Sequence, residues 1–308
     1  MSVQRTLFKR VHAEFTRNKY VYIMALPVVL YYLLFCYYPM YGAQIAFRNF
    51  STANGISGSA WLGLKWFADF IKGPNFGRLM RNTLLISLYQ LVFGFPAPIL
   101  LALLLNELTS DGFKRIIQSV VYLPHFISIV VICGMIRDFV GRNGIITDII
   151  VLFGGQRVNY LGEPGAFRAI YTLSGIWQSI GWSSIVFLSA LTAVSPELHE
   201  SATVDGANRF QRVIHITIPC IVPTIVTMFI LQLGKIMSVG SEKILLLYNP
   251  NTYQTADVIA TYVYRVGLAE SFQPSFSTAV GLFSSVINFA LILTANAISR
   301  KATDSSLW

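Results

Sequence analysis

The sequence predicts an all-α polytopic membrane protein with six transmembrane helices, and three observations lead to this prediction. Of the 308 residues, 54% are apolar. Only 12% are charged, against about 25% in soluble domains. The apolar residues form six stretches that each reach the length of about 20 residues that a helix needs to cross a bilayer. This composition excludes a disordered chain and an ordinary soluble enzyme, and the net charge of +9 does not indicate a nucleic-acid partner.

We place the six spans in a single domain that covers residues 1–308. The first span follows a basic N-terminus that contains Arg5, Lys9 and Arg10. Its apolar run is longer than the 7–15 residues of a signal peptide, and no cleavage site of small residues follows it, so we interpret it as an uncleaved helix. The predicted spans are 20–40, 83–105, 116–140, 169–194, 218–239 and 278–298.

The basic residues between the spans predict the orientation of the chain. With the N-terminus in the cytoplasm, the inner segments carry roughly twice the density of Lys and Arg of the outer segments, as the positive-inside rule requires. Both termini are therefore predicted to be cytoplasmic. The inner segments are 1–19, 107–115, 195–217 and 299–308, and the outer ones are 41–82, 141–167 and 240–277.

The spans are almost free of ionisable groups. All fourteen carboxylates lie outside the span centres, whereas ion-coupled transporters place such groups near the midplane. Lys235 is the one clear charge in a span, where it either extends toward the interface or contacts a substrate or a partner helix. No phosphate-binding loop, metal-ligand spacing or nucleophile motif occurs, so we predict no catalytic residue, metal site or bound cofactor.

The segment 195–219, between spans four and five, is the most informative part of the chain. Ser195 followed by Pro196 is typical of a helix start. Asp205-Gly206 predicts a turn before a second helix. A first helix this short needs a surface to pack on. The pattern leaves two alternatives: the element lies on the membrane surface, or it docks on a soluble partner.

This segment resembles the cytoplasmic EAA loop of permease subunits of binding-protein-dependent ABC importers, in which E-A-A-x-x-x-G is followed nine residues on by I-x-L-P. Ser201 replaces the first Ala of the motif, and Ile218 replaces its Leu. The matching positions are Glu200, Ser201, Ala202, Asp205, Gly206 and Ala207, followed by Ile216, Thr217, Ile218 and Pro219.

The resemblance extends over about 20–308 and favours the subgroup that imports oligosaccharides derived from plant or bacterial polysaccharides. Uronic-acid-containing oligosaccharides are among the substrates of that subgroup. The stretches that carry this part of the resemblance are Arg81-Asn82-Thr83-Leu84, the segment from Gln118 to Ser128, and Ser306-Leu307-Trp308 at the C-terminus.

The resemblance also implies a type I permease fold, a set of partners and a cellular location. A second homologous permease completes a heterodimeric pathway in the bacterial cytoplasmic membrane, and an extracellular or periplasmic solute-binding protein delivers the sugar. Two cytoplasmic ATPase subunits bind ATP and Mg, so this chain is not itself an enzyme. Glu200 is expected to meet a basic residue of an ATPase subunit, and Gly206 to permit the turn between the two coupling helices.

A sugar pathway requires aromatic faces together with amides or hydroxyls. Each candidate has an alternative role in hydrogen bonds between helices or in core packing. Gly175, Ser179 and Ser183 recur every four residues, which indicates close helix packing. The candidates on spans two to five are Tyr89, Gln90, Gln118, Tyr122, Trp177, Gln178, Trp182 and Gln232.

Two other functions compete with an importer subunit. A stand-alone channel or secondary transporter for a small polar solute would carry out transport without ATP. A membrane-bound enzyme would need carboxylates or histidines that converge at one interface, and the sequence shows no such set.

Overall fold

The computed structural model describes residues 17–269 and 271–303. The prediction of an all-α protein is confirmed, because this part of the chain is predominantly helical and its only β-type pairings are the isolated bridges Arg48–Trp61 and Ser51–Gly55. Arg5, Lys9 and Arg10, as well as the C-terminal Ser306-Leu307-Trp308, lie outside the described residues. The orientation of the two termini therefore stays a prediction.

The main helices of the described residues are α1 (Lys19–Phe47), α2 (Lys65–Lys72), α3 (Phe76–Asn106), α4 (Asp111–Phe126), α5 (Ile129–Val140), α6 (Ile145–Leu152), α7 (Pro164–Thr192), α8 (Pro196–Val204), α9 (Arg209–Leu233), α10 (Ser241–Leu247), α11 (Ile259–Tyr264) and α12 (Pro274–Thr303). Four of them are long and apolar enough to cross a membrane: α1, α3, α9 and α12. Two bent combinations pass the same test, α4 with α5 and α6 at 101°, and α7 with α8 at 69°, which gives four to six spans.

The third and fifth predicted spans differ from the helices at those positions. The third is broken after Phe126, because a 3₁₀ turn that contains Pro124 ends α4 and the hydroxyl of Ser128 caps α5. The fifth ends at Leu233, and a turn that begins at Gly234 replaces the last residues of the predicted span. Lys235 consequently lies in this turn and is exposed.

The core is built mainly around α7, which packs along the second half of α3. One apolar cluster at this contact contains Ala102, Phe187 and Ile221, the last of them from α9. In contrast, no residue between Lys19 and Met40 is buried. Helix α1 joins the rest of the chain through its last turns, which pack on α12. Its apolar surface therefore requires lipid or another protein as cover.

A buried ion-pair cluster centred on Asp257 connects three helices. The carboxylate of Asp257 is fully buried, and Arg265 donates to both of its oxygens at 3.1 and 2.7 Å. Thr261 of α11 donates to one oxygen at 2.9 Å, and Arg78 of α3 lies 3.3 Å from the other. Asn82 of α3 donates to the Asp257 carbonyl at 2.9 Å. These bonds supply the compensation that a buried charge requires.

Arg168 extends this cluster to α7, because its guanidinium donates to the side-chain oxygen of Asn82 at 2.9 Å. Thr83, the next residue of α3, accepts a hydrogen bond from the backbone nitrogen of Ile259 at 3.1 Å. The first turns of α3, α7 and α11 are thereby held at fixed positions relative to one another.

The cluster predicts a large stability difference between two matched substitutions. Asp257→Asn removes the buried charge that pairs with Arg265 and should destabilise the protein by about 3–5 kcal/mol. Asp148→Asn removes a carboxylate from an ion pair with Arg157 in which both side chains are about half exposed, and should change stability by less than about 1 kcal/mol. Thermal unfolding of the detergent-solubilised protein measures both effects, and equal shifts would contradict the proposed importance of the cluster.

Candidate functional site

A polar cavity of about 540 Å³ lies between α3, α7, α9 and α10. Four of the eight residues predicted to contact a sugar line this cavity, and they come from three different helices. Gln90 belongs to α3, Gln178 and Trp182 to α7, and Gln232 to α9. The cavity therefore presents three amides and one indole, which are groups that suit the hydroxyls and the C–H face of a carbohydrate.

The other four predicted residues lie elsewhere. Tyr89 is exposed and contacts the ring of Phe93 with a centroid distance of 6.0 Å. Trp177 faces a separate, largely apolar cavity between α5, α6 and α7. Gln118 and Tyr122 belong to α4, and Tyr122 packs near Gly181 of α7. A sugar contact by any of these four stays a prediction that the cavity in this chain does not support.

Gln90 begins a π-helical turn that runs to Gly94 within α3. The backbone nitrogen of Phe95 donates to the carbonyl of Gln90, five residues earlier, at 2.9 Å, and Pro96, which has no N–H to donate, follows directly. Such wide turns are frequent at functional sites, because they alter the direction of the side chains on one helix face.

Trp182 is held against the break between α4 and α5. Its indole stacks on the imidazole of His125 with a centroid distance of 4.6 Å and an interplanar angle of 2°. The ring of Phe126 meets the same indole edge-on at 5.7 Å. The irregular segment after Pro124 thus fixes one aromatic wall of the cavity.

Close contact between α4 and α7 depends on Gly181, which precedes Trp182. A Cβ at this position would overlap the carbonyl of Val121 and lie 2.8 Å from the Tyr122 ring. Gly175, Ser179 and Ser183, which the sequence indicated as the packing face, line the cavity instead. The small residues with four-residue spacing therefore face the cavity, and the close contact between α4 and α7 is made at Gly181 instead.

Sequence reasoning missed Lys243, which lines the same cavity from α10. Its ammonium donates to the Tyr171 carbonyl at 3.4 Å and lies 5.2 Å from the Tyr171 ring centroid. Burial lowers the pKa of Lys243 to about 8. The residue lies in a predicted outer loop, and the only signal for it was a lysine followed directly by the apolar run from Ile244 to Leu247.

The predicted docking segment folds as a compact two-helix element. The first helix is α8, and it ends in a Schellman motif in which Gly206 has a positive φ of 82°. The Gly206 nitrogen donates to the Thr203 carbonyl at 3.1 Å, and the Ala207 nitrogen donates to the Ala202 carbonyl at 2.9 Å. Asp205 is the last residue before the glycine and is exposed.

The second helix of this element begins with a capping box between Asn208 and Gln211. Arg212 connects the two helices, because its guanidinium donates to the hydroxyl of Thr203 at 2.8 Å. Glu200 and Ser201 are exposed. Val204 and Phe210 are 88% and 73% exposed, so the element presents apolar side chains together with a carboxylate. Such a surface is suited to docking.

Within the described residues, no three His, Cys, Asp or Glu side chains group in a way that could hold a metal ion.

Comparison with known proteins places the chain in a family. Residues 94–304 match the family described as the binding-protein-dependent transport system inner membrane component. The chain is 41% identical, over 97% of its length and 94% of the relative, to the polygalacturonan/rhamnogalacturonan transport system permease protein YteP of Bacillus subtilis (strain 168). It is 40% identical to protein LplB of the same organism, over 96% of this chain and 93% of the relative.

A solved structure gives the same picture for the fold. A chain in the crystal structure of a bacterial alginate ABC transporter, in complex with an alginate pentasaccharide-bound periplasmic protein, superposes with a TM-score of 0.88 and is 42% identical. The match covers 97% of this chain and 100% of that chain.

The contact at Gly181 generates a prediction with a matched control on the same helix. Gly181→Ala forces a methyl group into the backbone of α4 and should destabilise the protein by about 1–3 kcal/mol. Gly165→Ala adds the same methyl group near the start of α7 where no atom lies within 4 Å, and should leave the melting temperature unchanged or slightly higher. Thermal unfolding in detergent distinguishes the two, and an unaffected Gly181→Ala variant would refute the close contact.

Proposed function

The chain belongs to the family of binding-protein-dependent transport system inner membrane components, and we propose that it forms half of the transmembrane pathway of an ATP-driven oligosaccharide importer. A second homologous permease forms the other half in a heterodimer. Two cytoplasmic ATPase subunits, which bind ATP and Mg, supply the energy, and an extracellular or periplasmic binding protein delivers the sugar. The complex lies in the bacterial cytoplasmic membrane, with both termini of this chain in the cytoplasm.

One observation carries this proposal: the exposed two-helix element joins the two helices that supply most of the cavity's polar groups. Helix α7 contributes Gln178 and Trp182 and is continued by α8 after a 69° bend. Helix α9 begins within the element and brings Gln232 to the cavity near its other end. A force applied to the element therefore acts on both walls of the cavity.

The element is built to transmit such a force. The Schellman motif and the bond from Arg212 to Thr203 fix the angle between α8 and the start of α9. When the ATPase subunits close on ATP, the element moves with them, and α7 and α9 tilt as rigid bodies. The cavity then opens alternately to the two sides of the membrane.

The substrate class is supported by the relatives and by the cavity. The names of the similar proteins refer to polygalacturonan/rhamnogalacturonan and to alginate, which are polysaccharides. The amides of Gln90, Gln178 and Gln232 and the indole of Trp182 are the groups that recognise sugars. We therefore assign to this chain an oligosaccharide derived from a polysaccharide.

The alternative function is a stand-alone channel or secondary transporter for a small polar solute. Purified chain alone in liposomes, compared with the complete complex, discriminates between the two. Uptake that requires ATP, both ATPase subunits and the binding protein supports the importer, whereas uptake by this chain alone would support the alternative.

Gly206 tests the coupling role of the element. Gly206→Pro is incompatible with the observed φ of 82° and removes the bond to Thr203, so ATP-dependent uptake should fall to background although the chain still inserts into the membrane. Gly206→Asn is the matched control, because asparagine tolerates positive φ at a cost of about 1–2 kcal/mol, and it should retain uptake. Unimpaired uptake by the proline variant would defeat the proposed coupling.

Glu200 tests the predicted contact with an ATPase subunit. Glu200→Gln removes a charge-assisted hydrogen bond worth about 1.5–3 kcal/mol and should weaken the retention of the ATPase subunits by about tenfold or more. Glu197→Gln makes the same change one helical turn earlier on α8, at another exposed position, and should have little effect. Co-purification of the complex at increasing salt concentration measures retention, and equal behaviour of the two variants would argue against the specific contact.

A further inference from the structure

Lys243 carries a buried ammonium group beside the cavity. Its exposed fraction is 7%, and within the described part of the chain no carboxylate lies within 4.0 Å of the ammonium nitrogen. Glu242 also lines the cavity, but it is exposed and forms no ion pair with Lys243. Of the three N–H donors of the ammonium, one points to the Tyr171 carbonyl. Buried charges are normally paired, so a lysine in this state calls for an anionic partner.

A gap in the wall of α7 lies next to this ammonium. A Cβ at Gly175 would lie 3.6 Å from the Lys243 nitrogen and 3.9 Å from the amide nitrogen of Gln90. Both contacts are ordinary van der Waals distances, so the absence of a side chain at position 175 leaves a space of about one methyl group that borders two N–H donors. The space belongs to the polar cavity, since all three residues line it.

Thr172 adds an independent observation at the same place. It is 3% exposed and lines the cavity, and its hydroxyl oxygen has no hydrogen-bond partner among the residues that the structure describes. It precedes Gly175 by three residues and therefore lies on the same face of α7. A buried hydroxyl without a partner is uncommon and indicates a group that is satisfied by something outside the chain.

We propose that Lys243, Gln90 and Thr172 form a carboxylate-binding subsite of the cavity, through which the pathway selects oligosaccharides that contain uronic-acid residues. The inference rests on the proposed function and assigns a charge preference to the same cavity. A carboxylate has two oxygens with several acceptor positions, so one such group has the capacity to accept from an ammonium, an amide and a hydroxyl. A neutral sugar at the same place leaves the ammonium buried and unpaired, which disfavours it.

The protonation state of Lys243 agrees with this role. Burial lowers its pKa to about 8, and the thiol of Cys133 acts weakly in the opposite direction. At pH 7 the side chain is therefore still mainly in the ammonium form. A substrate carboxylate favours the charged form further.

The test uses the complete importer in proteoliposomes, with the same binding protein in every arm. The probes are tetragalacturonate and its carboxyl-reduced, neutral counterpart, and the quantity measured is the initial rate of ATP-dependent uptake as a function of probe concentration. Lys243→Met removes the charge and should lower kcat/KM for tetragalacturonate by about tenfold or more, which corresponds to about 1.4 kcal/mol or more. Uptake of the neutral probe should stay the same or increase.

Three further variants separate recognition from a structural role. Lys243→Arg keeps the charge and should retain most of the uptake of tetragalacturonate. Thr172→Val should lower uptake of the acidic probe selectively but less than Lys243→Met. Lys72→Met makes the same change as the main variant at an exposed lysine at the end of α2, outside the cavity, and should behave as the unaltered complex. Co-purification of the ATPase subunits verifies assembly of each variant.

The outcomes are distinguishable. An equal loss of uptake of both probes in the Lys243→Met variant, or no loss of tetragalacturonate uptake, would overturn the subsite. An unaltered complex that takes up only the neutral probe would overturn the subsite and leave the proposed transport function intact. An unaltered complex that takes up neither probe with ATP would refute the proposed function as well.

Discussion

The buried carboxylate of Asp257 is the interaction on which the arrangement of the cavity depends. Its oxygens accept hydrogen bonds from Arg265 and Thr261 and form an ion pair with Arg78. Asn82, which donates to the Asp257 carbonyl, accepts a hydrogen bond from Arg168 of α7. A buried charge is stable only when an opposite charge and hydrogen bonds compensate its lost hydration. The cluster therefore defines where α3 and α7 begin relative to one another, and both helices then run into the cavity.

The backbone departs from regular helix where the cavity lies. A π turn begins at Gln90, and a 3₁₀ turn that contains Pro124 breaks the chain between α4 and α5. In a membrane, irregular backbone is tolerated only where it is buried in protein or lines a polar space. The π turn lies where α3 contributes Gln90 to the cavity, and the break near Pro124 places the His125 imidazole against the Trp182 indole.

The polar cavity and the exposed loop are parts of one mechanical unit. Helix α7 ends where the two-helix element begins, α9 begins within the element, and each of these helices carries cavity residues. The element itself is stiff, because each end of the turn at Gly206 has its backbone bonds satisfied and Arg212 bridges the two helices. It is also open to a partner, since Val204 and Phe210 are largely exposed. A coupling role requires both features, because the exposed surface binds a partner and the stiff connection transmits the partner's motion to the cavity helices.

The all-α membrane class and the turn between spans four and five follow from the sequence alone. Apolar length and local signals such as Ser195-Pro196 and Asp205-Gly206 are sufficient for these two features, since each depends on a few neighbouring residues. In contrast, it is the tertiary structure that brings Gln90, Gln178, Trp182 and Gln232 to one cavity and leaves Tyr89 and Trp177 outside it. It also placed Lys243 and Thr172 beside them. The direction of a side chain in a bundle depends on helix breaks such as those at Gln90 and Pro124 and on the rotation of each helix, and this rotation is set by contacts between residues far apart in the chain.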